Sequence, residues 1–360
     1  MNTKTSSIAI VILNWNGKNF LSKFLPVLVS NSQYPGTEIY VIDNCSTDSS
    51  IDLLKNSYNN IKLIELDKNY GFAGGYNRGL KQINAEFYIL LNSDVEVTPN
   101  WIEPVLKEFR KNDKIAVCQP KIKSYHNKSH FEYAGAAGGF IDKYGFTFCR
   151  GRIFGYVEKD EHQYDQFSKI FWASGACFFI KSKVFFEVGG FDEDFFAHME
   201  EIDMCWRIIN KGYSVAFTPD STVYHVGGGT LPNNTPFKNY LNYRNNLYLL
   251  YKNLPDTIFI KTIRRRIIFD LLAIIRFLLL FQFRNAFSVF KAYKDFNSSR
   301  FKFYRKRVKN RTSYDLNYGA ANLVNLSIVL EYFLKRRKNF STLRLESFSN
   351  DINREKTNQS

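Results

Sequence analysis

Cysteine is sparse and unpatterned in this 360-residue chain: Cys45, Cys118, Cys149, Cys177 and Cys205 are odd in number and contain no C-x-x-C pair. This argues against a disulfide framework or a cysteine metal site, and for a reduced compartment. Long apolar runs are missing too. The six-residue stretch before Asn14 is too short for a signal-peptide core, and Ile267 to Phe283 is interrupted by Asp270, Arg276 and Gln282, so a simple bilayer span is not expected. The glycines form neither G-x-x-x-x-G-K-[ST] nor G-x-G-x-x-G, which removes the P-loop and the dinucleotide fingerprint. Acidic residues are scarce in the last 110 positions, which hold 8 Asp and Glu against 23 Lys and Arg; the first 250 are balanced at 26 each, so the whole net charge of +15 sits in the C-terminal part. Such asymmetry points that part toward a polyanionic surface, membrane or nucleic acid.

What is present is an alternation of buried strands and helices. Ile8 to Leu13, Glu38 to Ile42, Ile61 to Leu66 and Phe87 to Leu91 are short apolar runs. Helical patterns separate them, which predicts an α/β fold with a doubly wound, mostly parallel sheet. In such sheets ligands bind beyond the carboxyl ends of the strands. Two acids fall there. Asp43 ends the second strand and could accept a hydrogen bond from uracil or thymine, with Trp15 against the base. Asp94 follows Phe87 to Leu91 in Asn92-Ser93-Asp94, where it offers hard oxygen to Mg²⁺ or Mn²⁺; the alternative is that this triplet caps a helix starting near Thr98-Pro99. Asn44 and Asp48 suit turn stabilisation. Gly71, Gly74 and Gly75 either let backbone approach a diphosphate, with Arg78 supplying charge, or let a helix pack closely on the sheet.

Residues 121 to 170 are irregular, rich in Gly, Tyr and charge, and read as an acceptor-side insertion rather than core. Met199 to Lys211 is helical, with Glu200, Glu201 and Asp203 crowding its first turn, either as reactive carboxylates or as dipole-favoured caps. Upstream, Gly189-Gly190-Phe191-Asp192 forms a tight turn that could seat a sugar, and Phe171-Trp172 offers a stacking face. His225 follows an apolar strand and precedes a glycine hinge, Gly227 to Gly229.

The segments IAIVILNWNG, VIDNCSTDSS, NYGFAGGYNRGL, YILLNSDVEV, ASGACFFI, VGGFDEDFF, MEEIDMCWRI and VYHVGG, in that order over about residues 6 to 250, resemble the inverting family 2 glycosyltransferases of GT-A fold. Within them they are most similar to the rhamnosyltransferase-like branch. The resemblance implies transfer of a sugar, such as L-rhamnose, from a dTDP- or UDP-sugar to a lipid-linked or growing surface glycan, with Mg²⁺ or Mn²⁺. It implies that Asp94 binds the cation, joined by His225, and that Asp43 reads the base. Asn14, Trp15, Asp43, Gly74, Asn77, Arg78 and Asn92 become the donor-binding set, with Arg244 a further candidate beside the diphosphate. Trp172, Gly190 and Asp192 become the acceptor set. Glu200-Glu201 falls on the family's Glu-Asp pair, whose second member is the general base. Ser93 stands where proline is usual, and Glu201 where aspartate is usual, so Glu201, Glu200 and Asp203 all stay candidates for the base.

The expected organisation is a catalytic domain over residues 1-250, a basic helical region over 251-340 for membrane contact or oligomerisation, and a disordered tail over 341-360. Helices are predicted over 237–254, 267–283 and 322–334. The chain is expected in the cytoplasm, peripheral at the inner face of an anionic membrane, as a possible homo-oligomer and with no nucleic-acid partner. Two competing readings are a nucleic-acid binder using Phe301 to Arg307 and a donor-binding pseudoenzyme.

Overall fold

The computed structural model describes residues 7–227, 235–343 and 345. Strands β1 (Ile8–Asn14), β2 (Thr37–Asp43), β3 (Lys62–Glu65) and β4 (Phe87–Leu91) run parallel in the order β3-β2-β1-β4. The register pairs Asn14 with Asp43, so β1 and β2 end level with each other. Alternate residues supply two cores. Ala9, Val11, Tyr40, Ile42, Tyr88 and Leu90 face one. Ile8, Ile10, Ile12, Val41, Ile89 and Leu91 face the other. Both faces are therefore apolar, which is why these strands show no polar alternation.

Helices α1 (Lys18–Asn31), α2 (Ser50–Ser57) and α3 (Gly71–Leu80) make the crossovers. The strand order reverses between β1 and β4, and a crevice at their carboxyl ends is the usual ligand position. The close approach of α3 depends on glycine. A Cβ on Gly75 would lie 2.6 Å from Leu13 Cδ1, and one on Gly79 would lie 2.1 Å from Ile42 Cδ1. Packing of helix on sheet accounts for these two positions.

The other half of the sheet adds β12 (Cys177–Lys181), antiparallel to β4 and to β6 (Ile115–Ser124). Beyond β6 lie β13 (Ser214–His225), parallel to it, and β11 (Ser168–Ile170). The short β5 (Val95–Val97) pairs with β13, setting Val95 opposite His225. This corrects the helix expected at Thr98-Pro99. The chain first pairs with β13, Thr98 Oγ1 donates to Thr222 O at 2.7 Å, and helix α4 begins only at Glu103 and runs to Lys111.

Residues 121 to 170 also differ from expectation. They hold the end of β6, a four-stranded antiparallel sheet of β7 (Gly139–Ile141), β8 (Thr147–Cys149), β9 (Arg152–Ile153) and β10 (Tyr156–Val157), and all of β11. Phe131, Phe140, Phe148 and Ile153 are buried in the main core. Their strands are two or three residues long, too short to show a period.

Helices α5 (Ser182–Glu187) and α6 (Glu200–Asn210) are followed by α7 (Pro236–Asn253), α8 (Asp256–Leu279), α9 (Phe283–Ser313), α10 (Leu316–Ala321) and α11 (Ile328–Phe333). The boundary drawn at residue 250 falls inside α7. Helix α9, unrecognised in the sequence, packs on α7 through Tyr248 and Phe303, stacked at 3.8 Å. Phe296, Phe303, Ile328 and Phe340 join the core of the sheet domain. The helix expected over 322–334 is confined to α11, since Val324 instead bridges to Asp142 beside β7. Of the tail assigned to 341-360, Leu343 is buried; residues 344 and 346–360, like Gly228 and Gly229 of the expected hinge, lie outside the described residues.

Candidate active site

The turn after β1 is pinned on both sides of Trp15. Asn14 Nδ2 donates to Asp43 Oδ1 at 2.9 Å, and Asn16 Oδ1 accepts from the Thr47 amide at 2.7 Å. Trp15 between them is 53 % exposed, a flat apolar face held at the crevice. Asp43 is fully buried. Ser46 donates its amide to Oδ2 at 2.8 Å and its hydroxyl to Oδ1 at 2.6 Å, so the carboxylate organises the turn that carries Trp15. Asn44 and Asp48 serve turns, as their residue types suggest: Asn44 Oδ1 accepts from the Tyr70 amide and Asp48 Oδ2 from the Lys18 amide.

Asp94 sits between β4 and β5 with its carbonyl accepting from the Val226 amide at 3.1 Å. Its Oδ1 lies 3.2 Å from His225 Nε2, and Asn92 Nδ2 is 3.5 Å from the same nitrogen. On the other side of the ring, Glu132 Oε2 lies 3.2 Å from Nδ1 without hydrogen-bond alignment, leaving that buried nitrogen unpartnered. Burial disfavours the charged imidazole, but Asp94 and Glu132 outweigh it and push His225 up to about 10. Burial likewise raises the Asp94 carboxyl, yet His225 holds it below the usual carboxylate range. Sequence reasoning missed Glu132, which lies in the stretch read as an insertion and carries no motif.

The donor set fits a hard divalent cation. A carboxylate and an amide oxygen are ordinary ligands for Mn²⁺ or Mg²⁺, an imidazole suits Mn²⁺ better than Mg²⁺, and a carboxylate behind a ligating imidazole is a common support. Among the described residues no three His, Cys, Asp or Glu close on one point. The chain would therefore supply part of a coordination shell, with substrate phosphates and water supplying the rest.

Helix α6 opens on a strained turn. Phe196, His198 and Met199 have φ of 68°, 67° and 76°, in the left-handed region that side chains disfavour. Asn245 of α7 holds them there, its Nδ2 lying within 2.9 Å of the carbonyls of Phe195, Ala197 and His198. No sequence signal marked Asn245. Arg244 beside it donates to Phe195 O at 3.1 Å and so braces this turn. The strain presents Glu200 and Glu201 at the helix start, each with a buried Oε2 lacking a partner. Glu201 is partly exposed, and burial pushes it up to about 7. Glu200 is 5 % exposed and is held well above the usual range by burial and by the Glu201 charge. The Trp172–Ala176 segment links this helix to the Asp94 loop: the Ala173 amide lies 3.5 Å from Cys205 Sγ, and Ala176 O accepts from the Asn92 amide at 3.0 Å.

Several expected site residues are placed otherwise. Asp203 is fully buried, accepting from Arg207 Nε, Lys252 Nζ and Asn253 Nδ2, each at 2.9 Å. Burial alone would raise its carboxyl, but Lys252 and Arg207 hold it below the usual range, so it is a structural anion rather than a base. Asp192 is paired with Lys252 and Lys306. Gly190 lends its carbonyl to Arg207, and Asn77 spends its amide on both backbone groups of Phe191 at 2.9 Å. Gly190 and Asp192 line a cleft with Lys306 and Tyr314 that includes none of Asp43, Asp94, Glu201 or His225. Trp172 is core, 4 % exposed, with Nε1 donating to Phe140 O at 3.1 Å and Gly139 against its ring. Arg78 stacks on Tyr70 at 3.6 Å and pairs with Glu193 at 2.9 Å. A Cβ on Gly74 would meet Tyr70 Cβ at 2.9 Å, so that glycine makes room for the same stack.

Residues 9–189 match the family described as Glycosyl transferase family 2. The chain belongs to that family. This family 2 member is a glycosyltransferase whose relatives act in glycan assembly. It is 23% identical over 236 residues to the N-acetylglucosaminyl-diphospho-decaprenol L-rhamnosyltransferase of Mycobacterium tuberculosis, covering 61% of this chain and 76% of that one. It is 24% identical over 221 residues to the low-salt glycan biosynthesis hexosyltransferase of Haloferax volcanii, covering 59% of this chain and 65% of that one. Among solved structures it superposes on GalNAc-T7 with UDP, GalNAc and Mn²⁺ at TM-score 0.55 and 18% identity, over 71% of this chain and 49% of that one. The chain thus spans about half of that structure's length. It also matches the mannosyltransferase PcManGT of Pyrobaculum calidifontis with GDP-Man and Mn²⁺, at TM-score 0.50 and 11% identity, over 93% and 89% of the two chains. These likenesses establish the GT-A architecture, with its mostly parallel sheet and flanking helices.

Proposed function

We propose that this glycosyltransferase moves a sugar from a nucleoside diphosphate to a hydroxyl of a lipid-linked or growing cell-surface glycan, in one inverting displacement, at the inner face of the cell membrane. The donor's base lies over Trp15, on the turn that Asp43 and Asn14 hold in place. A dTDP- or UDP-sugar suits this face, and L-rhamnose is the sugar we favour, because a relative is a rhamnosyltransferase. Asp94 and His225, with Asn92 beside them, would hold Mg²⁺ or Mn²⁺, which when bound would supply positive charge against the diphosphate. Glu132 stands behind the His225 ring, its Oε2 3.2 Å from Nδ1.

Glu201 takes the proton from the acceptor hydroxyl as the hydroxyl attacks the anomeric carbon from the side opposite the leaving diphosphate. The observation that carries this assignment is a carboxylate on a partly exposed residue, with its Oε2 buried and unpartnered and its proton held up to about 7, at the end of a strained turn. A base near neutral pH is ionised when needed yet still draws the proton effectively, and such a group contributes about 10²–10⁴-fold. Glu200 is the second carboxylate of the pair; it lies deeper than Glu201, and burial together with the Glu201 charge disfavours its ionised form.

The testing experiment is transfer from nucleotide sugars to a prenyl-diphosphate-linked acceptor, followed by product stereochemistry. Turnover that needs Mn²⁺ or Mg²⁺ and gives the inverted anomer is expected. Retention of configuration, or full activity in Glu201→Gln, would overturn the scheme.

A further inference from the structure

Helices α8 and α9 form a hairpin whose end projects from the protein. From Leu271 to Asn285 not one residue is buried. Eleven of those fifteen are apolar, and the others are Arg276, Gln282, Arg284 and Asn285. Leu279 is 74 % exposed and Phe281 81 %. Water-facing surfaces rarely leave so continuous an apolar patch uncovered. The hairpin is nevertheless firmly rooted. Arg266 Nε donates to Asp270 Oδ1 at 2.9 Å, Arg266 Nη1 to Asn246 Oδ1 at 2.6 Å, and Tyr293 to Asp270 Oδ2 at 2.7 Å. Beyond that root α8 continues for nine residues, roughly 14 Å at 1.5 Å per residue. That reach exceeds the 5–10 Å depth to which interfacial helices sink.

Charge identifies what covers the tip. Residues 257–313 contain fifteen Lys and Arg against two Asp. Both acids are occupied: Asp270 by Arg266 and Tyr293, and Asp295 by Tyr240 at 2.6 Å. Arg276 and Arg284 lie within the apolar end, and Arg264, Arg265 and Lys291 lie exposed at its root; all are positive.

We propose that the α8–α9 tip, centred on Leu279 and Phe281, inserts into the interfacial layer of an anionic bilayer, its basic collar resting on the lipid phosphates. The bilayer is favoured over a second copy because a two-fold contact across this face would set cationic rims against each other. A nucleic acid would neutralise the collar but leave the leucine and phenylalanine end in water. Among the described residues no helix is long and apolar enough to cross a membrane, which suits lying in the interface rather than spanning it. Docking itself needs only this surface; its use, to bring the active site to a lipid-linked acceptor, rests on the function proposed above.

The test is co-sedimentation of the full chain with vesicles of phosphatidylglycerol and phosphatidylcholine in equal parts, and with phosphatidylcholine alone. Strong binding to the first and weak binding to the second are expected. Leu279→Ser with Phe281→Ser should lower the partition by about a hundredfold, because two large side chains lose their apolar contact. Arg276→Gln with Arg284→Gln should lower binding to the anionic vesicles about thirtyfold and leave the neutral ones unchanged. Both pairs lie in water in the free protein, so their thermal melts should match the parent. In Phe281→Trp, indole emission should shift to the blue and be quenched by brominated lipid. No vesicle binding, equal binding by the serine pair, or a concentration-dependent dimer lost in that pair without any vesicle binding would each overturn the proposal. The assay contains neither donor nor acceptor, so it stands or falls apart from the transfer reaction; transfer to a short-chain soluble acceptor should be unchanged in the tip variants.

Discussion

Glu201→Gln should make the enzyme far slower and, above neutral pH, more stable. An acid held above its ordinary value binds its proton more tightly in the folded chain than in the unfolded one. Stability from this source is therefore complete below about 4.5 and is lost as pH rises to about 7. At about 1.4 kcal/mol per tenfold change, that interval sets a ceiling of about 3.5 kcal/mol. Because Glu201 is partly exposed, solvent screening reduces the effect to about 1–2 kcal/mol. Urea denaturation of wild type and variant at several values between pH 5 and 8 reads it directly. The wild-type curve should fall relative to the variant's by that amount, with the difference saturating beyond pH 7. In the same proteins kcat should drop by about 10²–10⁴-fold with donor KM unchanged, and the wild-type rise in kcat around pH 7 should vanish. Parallel stability curves would show that the carboxylate is not held out of water as described. An unchanged kcat would assign the proton transfer elsewhere.

Four further outcomes follow from the geometry. Glu132→Gln should weaken Mn²⁺ binding about 10–100-fold by calorimetry in the presence of a nucleoside diphosphate, since it removes the support behind His225; undiminished affinity would mean that His225 does not ligate. Asp203→Asn should cost about 3–5 kcal/mol in urea denaturation by stranding Lys252 and Arg207, whereas a loss of kcat at unchanged stability would restore it as the base. Trp172→Ala should cost about 3–5 kcal/mol and leave acceptor KM unaltered in the folded fraction; a raised KM with little destabilisation would put the ring back in the acceptor site. Asn245→Ala frees the three carbonyls of the strained turn and should lower kcat without changing donor affinity, an effect absent if the turn keeps its shape unaided.

Much of the sheet domain is legible in the residues. Phe87 to Leu91 is continuously apolar because both faces of β4 are covered, and the two cores confirm that reason. Asp94 and His225 are named by motifs, and β13 brings them within 3.2 Å although 131 positions separate them. Helix α6 follows from its apolar spacing and from Gly212 at its end. Helix α9 stayed hidden because its apolar residues pack against α7 on one side and face solvent on the other, which blurs the helical period.

The sequence by itself determined the family, the alternation of strand and helix, the cationic C-terminal part and the cluster of acids at Glu200, Glu201 and Asp203. Only the tertiary structure decided what each acid does. Type and spacing are local, whereas a carboxylate's character is set by which distant groups fold against it. Lys252 and Asn253, about fifty positions away, claim Asp203 as a structural anion, while Glu201 keeps a buried Oε2 with no partner and is poised near neutrality. The same holds for the aromatics. Trp172 and Trp15 look alike as letters, but β7 closes over one and the Asn14–Asn16 turn holds the other open, because burial belongs to the whole chain and not to the residue.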